Sequence, residues 1–304
     1  IPPTAGFILA DAGYDVWLTN IRGNRYSRRH ITLSPNSSKF WDFSWHEMGC
    51  YDIPATIEYI LAETGEEKVY YIGHSMGTTM LFVMTSMRPE YNDKLRLGIA
   101  LAPIAYLRKS RHPVLKYVSP SSSRIAKMLD SRKVWEVLPY DKNLATFFGS
   151  LCDKENPAHS LCVKAYNLIF GENTEQLNMT LLPVFMSHMA AGTSVKSVLH
   201  FAQVYNSGEF KNFDYGPTKN MDLYKQNKPP EYELEKITTP ISLYYGNGDP
   251  LISTESIELL SKRLHNLVPS IQVPHAKFNH IDFILANDGK SLLFDNLLKL
   301  MKAY

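Results

Sequence analysis

The chain has 304 residues, 44% of them hydrophobic and 20% charged, with a formal net charge of +2. That length can bury one large core, or a core with an inserted subdomain, and the charge is too mild to argue for a nucleic-acid partner. No stretch reaches the roughly 18 uninterrupted apolar residues of a membrane span, so no transmembrane segment is expected. The start, IPPTAGFILADAGY, carries neither an initiator Met nor a basic leader, so any targeting peptide is expected to lie outside this chain.

In chain order, residues 5–12 read as a helix and 14–18 as a strand. The basic cluster RGNRYSRRH, Arg22 to His30, reads as a short solvated loop. Asn36 and Asn178 each head a glycosylation sequon, an acceptor only if the chain enters the secretory route. Apolar residues at near-helical spacing run from Glu47 to Glu63 and stop at Gly65, a helix-ending residue. A strand at 69–72, a helix at 77–88 and a small apolar strand at 97–103 follow. Between about 105 and 235 no buried strand stands out, only helix-like segments with Pro and Gly breaks and a polar, aromatic-rich end. The strand pattern returns at 241–245, followed by a helix over about 254–265, a strand at 271–274 and a terminal helix near 290–302. The expected organisation is therefore a first core part (1–104), a helical insert (105–235) and a second core part (236–304).

Strands alternating with helices predict a parallel α/β sheet, whose ligands bind beyond the carboxyl ends of the strands. Three residues fall at such ends. In VYYIGHSMGTT an apolar run meets Ser75 between Gly73 and Gly77, the composition of a strained strand-to-helix elbow that lifts a serine hydroxyl above the sheet edge. The N–H of Met76 then points to where an oxyanion would form. Asp249 lies in GNGDPLIS after strand 241–245, and His280 in HAKFNHIDFIL after strand 271–274. The order Ser, Asp, His is that of one architecture among the serine hydrolases. Bland readings compete: a Gly-Ser turn at Ser75, a turn-forming Asp before Pro250, and rival histidines at 200, 265 and 275, with Asp282 as a rival acid. Cys50, Cys152 and Cys162 cannot make a disulfide framework and lack zinc-site spacing, so one bridge with one free thiol is admissible and no metal is expected.

Over nearly its whole length the chain resembles the acid lipases of the α/β-hydrolase fold, the group of gastric and lysosomal acid lipases and their invertebrate relatives. The matching segments, in order, include LADAGYDVWLTNIRGNRYSRRH, FWDFSWHEMGCYDIPATIEYIL, YYIGHSMGTT, SHMAAGTS, QNKPPEYELEKITTPISLYYGNGDPL and FNHIDFI. The resemblance implies a mostly parallel sheet with helices on both faces and a lipase cap formed by residues 105–235. It implies Ser75 as nucleophile, His280 as general base, Asp249 as its orienting acid, and a cap disulfide between Cys152 and Cys162; it assigns Cys50 no role. The implied substrates are neutral lipid esters, triacylglycerol or cholesteryl ester, met at a lipid–water interface or droplet surface. No metal or organic cofactor is implied, and the setting is secreted or lysosomal. Family members also carry an HGL-type segment after their third strand, which supplies a second oxyanion donor and which this sequence lacks. In the family sheet order 1-2-4-3-5-6-7-8, residues 14–18 would be the fourth strand and 69–72 the fifth, so N-terminal strands are expected to be missing. The chain as read is accordingly expected to be a truncated form that hydrolyses esters poorly or not at all; the alternative is a non-catalytic lipid-binding protein on the same fold.

Overall fold

A computed structural model of the protein describes residues 5–304. Four parallel strands form one sheet in the spatial order β1 (Val69–His74), β2 (Leu95–Leu101), β3 (Ile241–Tyr245) and β4 (Ile271–Gln272). Side chains alternate across it with the period of a pleated strand. On β2, Leu97, Ile99 and Leu101 enter a cluster with Ile8 and Leu9 of helix α1 (Ala5–Asp11), while Ala100 enters the opposite one; Leu95 joins Ala100 there because the register with β1 shifts by a residue between Leu95 and Leu97. That opposite cluster holds the buried faces of α2 (Ile53–Thr64) and α3 (Met76–Met87). Both faces are thus covered, as a parallel sheet requires.

The helix expected over 47–63 starts earlier. Ser44 closes a capping box with Glu47, and a π turn at Met48–Asp52 joins that first turn to α2, which ends at Gly65. The insert is helical, with α4 (His159–Phe170) and α5 (Val195–Ser207) among its longest elements. Its only ladder among the described residues is a two-residue antiparallel pair, Glu136–Val137 with Thr193–Ser194. After it come α6 (Thr254–Arg263), a four-residue helix at Asp282–Leu285, and α7 (Asp295–Met301), entered through a π turn at Lys290–Phe294. No helix among the described residues is long and apolar enough to cross a membrane.

Two expectations change. Residues 14–18 form no strand; the segment is held by side chains, Tyr14 edge-on to Tyr70 at 5.7 Å and Trp17 edge-on to Tyr59 at 5.9 Å. In the expected order this segment and β1 are next-but-one neighbours, and among the described residues β1 pairs with β2 alone. The Arg22–His30 cluster is not simply solvated. Arg22 donates through its N–H and Nε to Asp52 at 2.8 and 2.7 Å, Arg28 pairs with Glu136 of the insert, and the Arg25 guanidinium lies 3.4 Å from the Tyr140 ring centroid. It is a docking loop.

Candidate active site

β1 ends at His74 and α3 begins at Met76, leaving Ser75 alone on the turn at φ 54° and ψ −121°, a conformation costly for any residue with a Cβ. The strain is held from several sides. The Ser75 N–H donates to the Leu101 carbonyl at 3.0 Å, and its own carbonyl accepts the Thr78 hydroxyl at 2.6 Å. Gly73 is required here, since a Cβ on it would fall 2.7 Å from the Gly77 carbonyl carbon. At Gly77, by contrast, a Cβ would meet no described atom, so the room expected of both glycines is used at one. Met76 is the first residue of α3, where helix N–H groups lack intrahelical partners.

Asp249 follows β3 in a loop whose glycines admit the backbone carrying the histidine. A Cβ at Gly248 would lie 2.2 Å from the Lys277 carbonyl oxygen, and the Gly248 N–H donates to the Phe278 carbonyl at 2.9 Å. Asp249 makes the contacts of both readings, the turn and the histidine partner. Its Oδ1 accepts the N–H groups of Leu251 and Ile252 at 2.8 and 3.3 Å, and its Oδ2 lies 2.7 Å from His280 Nδ1. His280 Nε2 is 2.8 Å from Ser75 Oγ. The carboxylate makes Nδ1 the donor, which leaves Nε2 to accept from the hydroxyl. Asp249 and His280 are 1% and 3% exposed, so the acid–histidine bond is buried, while Ser75 at the other end is half-buried.

The His280 backbone is held at both ends. Its N–H donates to the Phe170 carbonyl at 3.2 Å, and its carbonyl accepts His74 Nε2–H at 2.8 Å. Burial, with the His280 ring beside it, pushes His74 down to about 3, so it is a neutral donor at ordinary pH. Nothing in the sequence marks His74 or Phe170 for this work, because each partner lies more than a hundred residues away.

The rivals sit elsewhere. His265 is exposed; His275 pairs with Glu175; His200 stacks on Trp45 at 3.6 Å and bonds to Ser44 and the Lys211 carbonyl. Asp282 bonds to Asn173 and to the Asn279 N–H, not to the His280 ring. Cys152 and Cys162 are bonded to each other. Cys50 is a buried free thiol, pushed up to about 12 by burial. Asn36 is exposed, whereas Asn178 is buried with its Oδ1 accepting the Thr180 and Leu181 N–H groups at 3.1 and 3.0 Å. The asparagine of the second sequon is therefore largely buried in this fold, whereas that of the first is open to solvent.

An elbow serine, a following acid and a late histidine on a parallel sheet define an α/β hydrolase, and an alpha/beta hydrolase fold family model matches residues 8–117. The chain is 40% identical to Lipase 1 of Drosophila melanogaster, over 97% of its own length and 65% of that protein. It is 38% identical to lipase member K of Mus musculus and to gastric triacylglycerol lipase of Rattus norvegicus, covering 97% of this chain and 73% of each relative. The chain belongs to this acid-lipase-like family of carboxylic ester hydrolases. A solved structure from Sulfolobus solfataricus, 12% identical, shares the fold with a TM-score of 0.59 over 90% of this chain and 70% of that one.

Proposed function

We propose that the protein is a serine hydrolase of neutral lipid esters, triacylglycerol or cholesteryl ester, acting through an acyl-Ser75 intermediate. The observation that carries the reading is the continuous pair of bonds from Ser75 Oγ to His280 Nε2 and from His280 Nδ1 to Asp249 Oδ2. In this mechanism His280 takes the hydroxyl proton as Ser75 attacks the ester carbonyl, and Asp249 stabilises the imidazolium that forms. Met76 N–H stabilises the tetrahedral oxyanion. His280 returns the proton to the leaving alcohol, then activates the water that frees the fatty acid.

Residues 105–235 act as the cap between core parts 1–104 and 236–304. Exposed apolar side chains on it, Tyr117, Leu138, Phe147, Leu161, Leu168 and Val184, suit contact with a lipid–water interface or droplet surface. The Cys152–Cys162 bond fits a secreted or lysosomal setting, where disulfides persist. The name of the rat relative supports triacylglycerol as substrate.

The test is turnover of emulsified long-chain triacylglycerol, cholesteryl ester and a short-chain soluble ester by the full-length protein and its Ser75→Ala variant. The reading expects wild-type turnover of at least one long-chain ester, abolished in the variant. Turnover that survives Ser75→Ala contradicts the mechanism, and lipid binding without any turnover selects the non-catalytic alternative.

A further inference from the structure

Around His280 lies a buried polar cluster that the proposed chemistry does not use. Asn279 Oδ1 accepts the N–H groups of Ile281 and Asp282 at 2.9 and 3.0 Å, and its Nδ2 donates to the Gly171 carbonyl at 2.8 Å. Asp282 Oδ2 accepts the Asn279 N–H at 2.7 Å and Asn173 Nδ2–H at 2.6 Å. With the His280 N–H on the Phe170 carbonyl, the insert segment 170–173 is tied on both sides of the histidine. The same segment touches the loop of the acid, since a Cβ at Gly171 would fall 2.3 Å from the Gly248 carbonyl oxygen.

As a carboxylate, Asp282 leaves this cluster unbalanced. Asp282 Oδ1 and Asn173 Oδ1 are both buried, and neither receives a donor from the described residues. Two such acceptors are costly, and they belong to planar groups already joined by one short bond. A proton on Asp282 Oδ1 would supply a donor to a cluster that holds two unpartnered acceptors, while Asn173 Nδ2–H continues to donate to Oδ2.

We propose that Asp282 and Asn173 form a neutral acid–amide pair through which the insert positions His280; the proposal rests on the reading of His280 as the catalytic base. Burial raises the Asp282 carboxyl above the usual carboxylate range, against the lowering by Asn279 and Asn173. The titratable groups around it are Tyr166 from α4, His275 and His280 from its own loop, and Asp249 from the acid loop. Of these, His275 favours the charged form but is paired with the exposed Glu175, and Asp249 favours the neutral one. Because the folded value is raised, the stabilising contribution is complete below the ordinary carboxylate range and is lost as pH rises through the raised value.

The experiment measures thermal unfolding from pH 4 to 8 and the rate of fluorophosphonate labelling, resolved into kinact and KI, in the full-length protein. Asp282→Asn places an N–H where the acid has its O–H, so it should label within about 3-fold of wild type. Its Tm relative to wild type should climb by a few degrees as pH rises, since only wild type loses a proton. Asn173→Ala and Asp282→Ala should lower kinact about 10-fold with KI little changed, a loss on the order of one tenfold step in barrier. Should Asp282→Ala fail to fold, Asn173→Ala and Asp282→Asn carry the test. Asp282→Asn as damaging as alanine, or a Tm difference flat with pH, overturns the neutral pair. A wild-type protein that never labels overturns the catalytic reading instead, and the unfolding arm still decides the state of the pair.

Discussion

The insert meets the core along two seams of different chemistry. Along the histidine seam the bonds are made largely by amides, fully buried at its centre, Asn173 to Asp282, and half-buried outward, Asn279 to Gly171, Gln176 Nε2 to the exposed Asp288 at 2.9 Å and the Asp288 N–H back to Gln176 Oε1 at 2.9 Å. Along the arginine seam they are charged and wetter: Arg28 with Glu136, Arg25 over Tyr140, and Lys196 with the exposed Asp42 at 2.8 Å. Buried bonds punish displacement because an unpaired partner stays dry, whereas exposed pairs trade readily with water and salt. The first seam therefore holds the backbone on both sides of His280. The second holds the body of the insert.

The comparison breaks hardest at the acid. Asp249→Asn should lower ester turnover about 10,000-fold by stabilising the wrong tautomer of His280, with little change in Tm. A harmless Asp249→Asn beside a crippling Asp282→Asn would reassign the acid to the other carboxyl.

Charge placed near the buried seam is the next largest effect. His74 has its folded value pushed down to about 3 from 6.5, so its contribution to stability is present above pH 6.5 and lost as pH falls toward 3. The loss at pH 4 is on the order of 3 kcal/mol. His74→Gln keeps a donor for the His280 carbonyl and removes the titration, so the fall in Tm between pH 7 and pH 4 should shrink. This slope runs opposite to that of Asp282, and comparing the two variants separates them.

Close backbone approach comes third. Gly248→Ala sets a Cβ 2.2 Å from the Lys277 carbonyl oxygen, and relieving it should cost about 1–3 kcal/mol in urea unfolding and slow probe labelling as the two loops part. The smallest effect belongs to the arginine seam. Arg28→Ala should cost about 0–1 kcal/mol at low salt, vanish near 1 M salt, and leave turnover unchanged. An Arg28→Ala variant that loses turnover as Asn173→Ala does would erase the distinction between the seams.

The site was more legible in the sequence than its support. Ser75 and Asp249 each follow an apolar strand and His280 follows the short strand Ile271–Gln272; strand ends are local features, so placing three residues at one sheet edge needs only the alternation of elements. The elements that pair across the chain were not legible. Asn173 meets Asp282 across 109 residues, His74 meets the His280 carbonyl across 206, and an amide or a lone histidine has no pattern that announces such a partner. Arg25 and Arg28 read as solvated for the same reason, their partners lying in the insert. The Asn178 sequon is three residues of local pattern, while its burial is a tertiary fact. Residues 14–18 have the composition of a strand, but a strand also needs a neighbour to pair with.

The central claim is that Ser75 is the nucleophile and His280 its base. The most direct measurement is fluorophosphonate labelling of the full-length, folded protein followed by peptide mass mapping, in wild type and in His280→Ala. The account predicts one adduct per chain, on Ser75, and its loss in the variant; an adduct on another serine, or labelling of Ser75 that persists without His280, would contradict it.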